Sequence, residues 1–147
     1  MSCHHGVVDD LERFTRAQDA KGSFDQALRE LRAGRKRTHW IWWVFPQLRG
    51  LGHSSTSWTY GIADVAEARA YLHHEILGPR LHQAVAALLE HARQGAEAVV
   101  GADAVKVRSC LTLFEMADPD DELVGRALAI LFQGERDPLT VARITSS

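Results

Sequence analysis

Every residue from Trp40 to Phe45 is large and apolar. Neither face of a helix nor of a strand built from this run can be left in water at reasonable cost, so it has to be buried on all sides. In a chain of 147 residues, 46% of them hydrophobic, that places the run inside one ordinary core. Full burial of each such side chain is worth roughly 1.5–3 kcal/mol, so the segment supplies a sizeable part of the gross stabilisation. It also carries three of the four tryptophans, Trp40, Trp42 and Trp43, whose indole N–H groups all need acceptors.

The flanks of the run are polar and restless. Pro46 pushes Phe45 toward extended backbone, and Gly50 and Gly52 permit positive φ, so residues 47–57 read as a shaped loop. His39 precedes the run, while Gln47, His53, Ser54 and Ser57 follow it. The expectation is an indole-rich plug whose polar neighbours meet around one hollow. A core histidine bonded to a backbone carbonyl is the plainer role for His39.

Elsewhere apolar residues recur at helical spacing, with no strict alternation, and the fold class expected is all-α: a compact multihelical domain of about six to eight helices. Residues 1–8 are expected to be a disordered N-terminal segment and 9–147 a single helical domain. Leu11, Phe14 and Ala17 form the inner stripe of a first helix. A second starts at Ser23 with Gln26 in the capping-box position and ends at Gly34. Asp64 with Glu67 starts another, and Pro79 opens a long helix that Gly95 closes. Asp103 is the expected cap of the helix that Asp118-Pro119 stops. Leu123 to Phe132 form the next, closed by Gly134, and Asp137-Pro138 opens the last.

A formal charge of −2, from 17 basic and 19 acidic residues, gives no general attraction to polyanions and argues against nucleic acid as a partner. No stretch reaches the roughly 18 apolar residues of a membrane span, and no leader is visible; the expected setting is the cytoplasm, without membrane contact. Cys3 and Cys110 form neither a zinc spacing nor a redox pair. Cys3, His4 and His5 make a poor preorganised metal site, so no metal and no cofactor are expected. Cys110 falls at an apolar helical position and reads as a buried, inert thiol.

Arg29, Arg32, Arg35, Lys36 and Arg37 gather at a helix C-terminus, where cations gain about 0.3–1 kcal/mol each from the macrodipole. The functional alternative is phosphate binding, with Lys106 and Arg108 approaching from another helix. Ser109 and Thr112 lie three apart on that helix and either line the same cleft or bond back to helix carbonyls. No P-loop, G-x-S-x-G or H-E-x-x-H pattern is present.

Arg13-Phe14 with Gln18, the Gly34–Lys36 turn, "HWIWWVFPQLRGLG", Tyr60 with Ile62, "EARAYL" followed by His74 and Leu77-Gly78, Lys106 with "RSCLTLF", and "GERDPLT" together resemble the family known as domain of unknown function 1810. That family is sometimes mislabelled calpastatin; calpastatins are disordered inhibitors, and an apolar helix-patterned chain is not one. The resemblance implies a compact helical protein and brings no reaction. The chain departs from the usual pattern at Cys110, Leu111 and Gly61. The tryptophan segment and the late Phe-x-Gly turn also bear a faint resemblance to the NADAR proteins, helical domains acting on ADP-ribose and related conjugates.

The function expected is a pocket for a phosphorylated small molecule, a nucleotide or ADP-ribose derivative, lined by Lys36, His39, Trp42, Gln47, Ser57, Tyr60, Lys106, Arg108, Ser109 and Thr112. Hydrolysis of that ligand would need Asp103, Glu115 or Asp118 at the bond, and no catalytic residue is singled out. The alternative is a non-enzymatic protein-interaction module or a homo-oligomerising structural protein. Oligomeric state is left open.

Overall fold

The computed structural model describes residues 2–146, with side chains from Leu11 onward. The expected disorder of residues 1–8 and the Cys3, His4 and His5 cluster concern side chains outside that range. Among the described residues the structure is helical with no strand, as the hydrophobic spacing requires. Among the described residues seven α-helices have eight or more residues, and three single-turn α-helices and three 3-10 turns punctuate the connections.

In chain order they are α1 (Ser2–Asp19), α2 (Ser23–Ala33), α3 (Ile41–Val44), α4 (Ser55–Thr59), α5 (Val65–His73), α6 (Leu77–Leu89), α7 (Ala96–Val100), α8 (Ala104–Ala117), α9 (Glu122–Phe132) and α10 (Pro138–Thr145). Helix α8 is the central rod, packed on α5, α9, α10 and α7. Its Val107, Cys110, Leu111, Leu113, Phe114 and Ala117 are buried. Helix α6 lies against α2, α5 and α9, and α1 against α2, α3 and α5. The buried apolar side chains form one continuous cluster. The Trp40–Phe45 run enters it as the single turn α3, with Trp40, Ile41, Val44 and Phe45 fully enclosed.

Three of the expected caps, Asp64, Asp137 and Gly34, stand where the pattern put them. The Asp64 carboxylate accepts from the Glu67 amide at 2.9 Å, and Asp137 accepts from the Thr140 amide at 2.9 Å with Pro138 at the first helical position. Gly34 closes α2 at φ +83°, in the left-handed region glycine favours. Ser23 and Asp103 differ from expectation. The N-cap of α2 is Gly22, because the Ser23 hydroxyl is taken by the Trp43 indole N–H at 2.8 Å. Asp103 makes no cap bond, because two lysines hold its carboxylate. Pro79 does not open α6, which starts at Leu77, and Gly95 does not close it, since it ends at Leu89; Gly95 precedes α7, a helix the spacing did not announce.

The loop between α3 and α5 is a folded unit. Leu48 and Ile62 form an isolated parallel bridge, with the Arg49 amide donating to the Ile62 carbonyl at 2.7 Å and the Ile62 amide to the Gln47 carbonyl at 2.8 Å. Gly61 sits where a Cβ would come within 2.6 Å of the Arg49 Cα, so the departure from the family pattern at this position matches backbone packing that leaves no room for a side chain. Gly78 is tighter still: a Cβ there would overlap the Leu72 carbonyl oxygen. Gly125 in α9 has open space around it.

These two helical glycines should therefore respond oppositely to alanine. Gly78→Ala should lower stability by about 1–3 kcal/mol through overpacking against backbone. Gly125→Ala should raise it by about 0.5–1 kcal/mol through helix propensity. Urea melts of both variants check the pair; an unchanged midpoint for Gly78→Ala would contradict the close α5–α6 approach.

Candidate functional site

The site is organised by a carboxylate in the third turn of α2. Glu30 is buried, and five donors converge on it. One oxygen accepts from the Arg37 amide at 2.7 Å, the Thr38 amide at 3.0 Å and the Trp40 indole N–H at 2.9 Å. The other accepts from the Thr38 hydroxyl at 2.6 Å and the Gln26 amide group at 2.7 Å. Burial alone would raise the pKa of this group. The hydrogen bonds from Thr38, Gln26 and the Arg37 and Thr38 amides more than reverse that, and hold it well below the usual carboxylate range.

Glu30 thereby fixes the segment from Gly34 to Trp40 and seats the first indole. The other two indoles have separate tasks. Trp43 donates to Ser23 and stands beside Tyr60, their centroids 5.2 Å apart. Trp42 carries the Lys106 ammonium over its ring at 5.3 Å, as Trp40 carries that of Lys36 at 5.2 Å. Asp103 bridges the two lysines, 3.0 Å from each. Its burial pushes the carboxyl up, and the lysine hydrogen bonds and charges outweigh that, leaving its pKa lowered.

Two further knots position the walls. Gln18 is buried and donates to the Trp43 carbonyl at 2.7 Å and the Tyr71 hydroxyl at 3.2 Å, while accepting from Arg80 at 3.1 Å. Arg13 donates to the Thr59 and Gly61 carbonyls, each at 2.7 Å, and pairs with buried Glu67 at 3.1 Å. The Arg13, Gln18 and Glu67 trio thus ties α1 and α5 to the two ends of the Trp-to-Tyr60 segment.

Between these walls lies a cleft of about 550 Å³, lined by Ala17, Ala20, Lys21, Ser23, Gln26, Thr38, His39, Trp40, Trp43 and Tyr60. It opens at the α1–α2 kink, where Lys21 adopts φ +53°, a left-handed conformation unusual for a side-chain-bearing residue. A second hollow, of only about 10 Å³, is lined by Trp42, Gln47, Ser57, Tyr60 and the loop glycines Gly52 and Gly61. That is room for one water at most.

The ten residues expected to line one site divide accordingly. His39 lines the larger cleft, and Trp42, Gln47 and Ser57 line the small hollow; Tyr60 belongs to both. Lys36 and Lys106 are joined through Asp103. Arg108 turns to Asp137, 3.7 Å away, with its Nε buried and without a hydrogen-bond partner. Ser109 donates to the Val105 carbonyl at 3.1 Å and Thr112 to the Arg108 carbonyl at 2.8 Å, the back-bonding geometry of helix-interior hydroxyls. Thr112 also accepts from the Asp137 amide at 2.9 Å, so it helps hold the start of α10.

Of the acids considered for hydrolysis, Asp103 holds the lysines, Glu115 pairs with Arg136 at 2.8 Å, and Asp118 lies 3.6 Å from His73. Burial pushes the Cys110 thiol well up, in keeping with an inert role. Sequence reasoning missed Glu30, Ser23, Gln26 and Thr38. Gln26, one turn before Glu30, is the local signal available, and its spacing from Ser23 equally suits a capping box.

An all-α domain with an aromatic cleft beside a pinned basic loop is the class these features define. The chain belongs to the family described as "Protein of unknown function (DUF1810)", whose family model matches residues 8–144. It is similar to the conserved hypothetical protein Rv1873 from Mycobacterium tuberculosis; that crystal structure superposes with a TM-score of 0.89 at 42% identity, over 94% of this chain and 98% of that one. No curated protein matches the chain.

Removing the Glu30 charge should uncouple the loop. Glu30→Gln should cost about 3 kcal/mol at pH 7, since it removes the charge that strengthens five buried hydrogen bonds. The pH dependence has a definite sign. A carboxyl whose pKa is lowered on folding stabilises fully above its unfolded value of about 4.3, and that stabilisation is lost as pH falls below it. Urea midpoints at pH 7 and pH 3.5 should fall further apart for the natural chain than for Glu30→Gln; equal differences would remove Glu30 from its organising role.

Proposed function

We propose that this chain binds a small molecule whose planar ring enters the Trp40, Trp43 and Tyr60 cleft, and that the ligand is a nucleotide or ADP-ribose derivative. The observation that carries this reading is the lining itself: the half-buried rings of Trp43 and Tyr60 beside the enclosed Trp40, with Lys21, Ser23, Gln26, Thr38 and His39 in the same lining. Its volume of about 550 Å³ falls within the roughly 300–1,000 Å³ of small-molecule sites, and an apolar lining with a few convergent polar groups is their usual composition. Stacking of a base on such a ring is worth about 1–3 kcal/mol. The faint NADAR likeness of the tryptophan segment is what puts ADP-ribose among the ligands.

Binding is favoured over hydrolysis. None of the ten lining residues is a carboxylate, and His39 is the lining's one imidazole. One observation supports the interaction-module reading: Leu139 is 66% exposed beside a shallow hollow shared with Leu51 and Ala142. That reading predicts self-association or protein capture through α10 with an unliganded cleft.

A thermal-shift series with adenosine, ADP and ADP-ribose tests the ligand reading. At a hundredfold excess over Kd a ligand adds about 2.7 kcal/mol, which for a chain of this size raises Tm by about 5–10 °C. His39→Ala, an exposed position, should weaken binding about tenfold without lowering the Tm of the free protein. No shift with any of the three at millimolar concentration would contradict the reading.

A further inference from the structure

The loop that Glu30 pins has a second face. Its backbone is held at consecutive points: the Arg35 amide donates to the Glu30 carbonyl at 3.0 Å, the Lys36 amide to the Val99 carbonyl at 2.7 Å, and the Arg37 and Thr38 amides to the Glu30 carboxylate. Lys36 turns inward, its side chain 11% exposed, while Arg35 and Arg37 turn out. Between them and residues 97–101 lies a hollow of about 400 Å³ whose lining holds three cations and a single carboxylate, Glu97.

Two of these cations, Arg35 and Arg37, are not spent internally, whereas Lys36 is held by Asp103. Among the described residues Arg35 and Arg37 form no ion pair, and Asp103 is shared by two ammonium groups, which leaves one positive charge in excess at Lys36 and Lys106. A fixed backbone carrying outward arginines incurs no loop-ordering cost on gripping an anion, only that of the two side chains, and guanidinium forks match phosphate oxygens. The hollow also has a neighbour in sequence: Arg37 lines it, and the next residue, Thr38, lines the aromatic cleft.

We propose that the Arg35, Lys36 and Arg37 hollow is an anion subsite that takes the di- or oligophosphate part of a ligand whose ring occupies the adjacent cleft. The ring half rests on the function proposed above; the anion half stands on the hollow alone. The phosphate-binding set thereby becomes Arg35, Lys36 and Arg37, with Lys106 acting only through Asp103 and Arg108 committed to Asp137.

Amide-resolved NMR titrations at fixed salt, with sodium tripolyphosphate, adenosine and ADP, separate the two halves. Tripolyphosphate should move the amides of residues 35–38 and 98–101. ADP should bind at least tenfold tighter than adenosine, and Arg35→Ala/Arg37→Ala, two exposed positions, should abolish that difference while leaving adenosine unchanged. If tripolyphosphate leaves those amides unmoved and the double variant keeps the ADP preference, the subsite is overturned. If tripolyphosphate binds there and adenosine fails to move Trp43 and Tyr60, the anion subsite stands and the ring reading falls.

Discussion

The arrangement depends on one buried charge. Moving a carboxylate out of water costs several kcal/mol, and Glu30 recovers that cost only because five donors reach it, each such bond worth about 1.5–3 kcal/mol. Two of those donors are consecutive backbone amides of a loop, so the same bonds that satisfy the charge decide where the loop runs. A third is the Trp40 indole, which couples the loop to the core. Remove the charge and Arg37, Thr38 and Trp40 lose their shared acceptor, leaving the segment held only at its Arg35 and Lys36 end.

The same device recurs. Glu67 accepts from the Ala63 amide at 2.8 Å and pairs with Arg13, which itself grips two loop carbonyls. Asp137 takes both the amide and the hydroxyl of Thr140 while its own amide donates to Thr112. Buried carboxylates hold much of the irregular backbone of this helical protein, and the three tryptophans of the apolar run take separate jobs. Trp40 seals the core, Trp42 supports the Lys106 end of the lysine bridge, and Trp43 becomes a cleft wall.

Helices were legible in the sequence because their signal is local: a 3.6-residue apolar period, and carboxylates three residues ahead of the amides they cap, as at Asp64 and Asp137. What was not legible depends on partners far along the chain. Ser23 carries a good capping side chain, but Trp43 lies twenty residues on and takes it. Asp103 carries another, and Lys36 draws it away. Glu30 reads as one more exposed acid in "LRELRAGR", because nothing local says that a turn and an indole will fold back over it. Of the expected site, His39 and Tyr60 reached the cleft; Ser109 and Thr112 satisfied their hydroxyls on their own helix, the plainer of the two roles their spacing allowed.

Hydrogen exchange at the Arg37 and Thr38 amides tests the central claim most directly. Both belong to a loop whose side chains are exposed, where free amides exchange within moments, yet each donates to a buried carboxylate. Protection comparable to that of the α2 interior, lost when Glu30 is replaced by glutamine, is the predicted result. Exchange at the rate of an unstructured loop in the natural chain would contradict it, and with it the pinned wall on which both hollows depend.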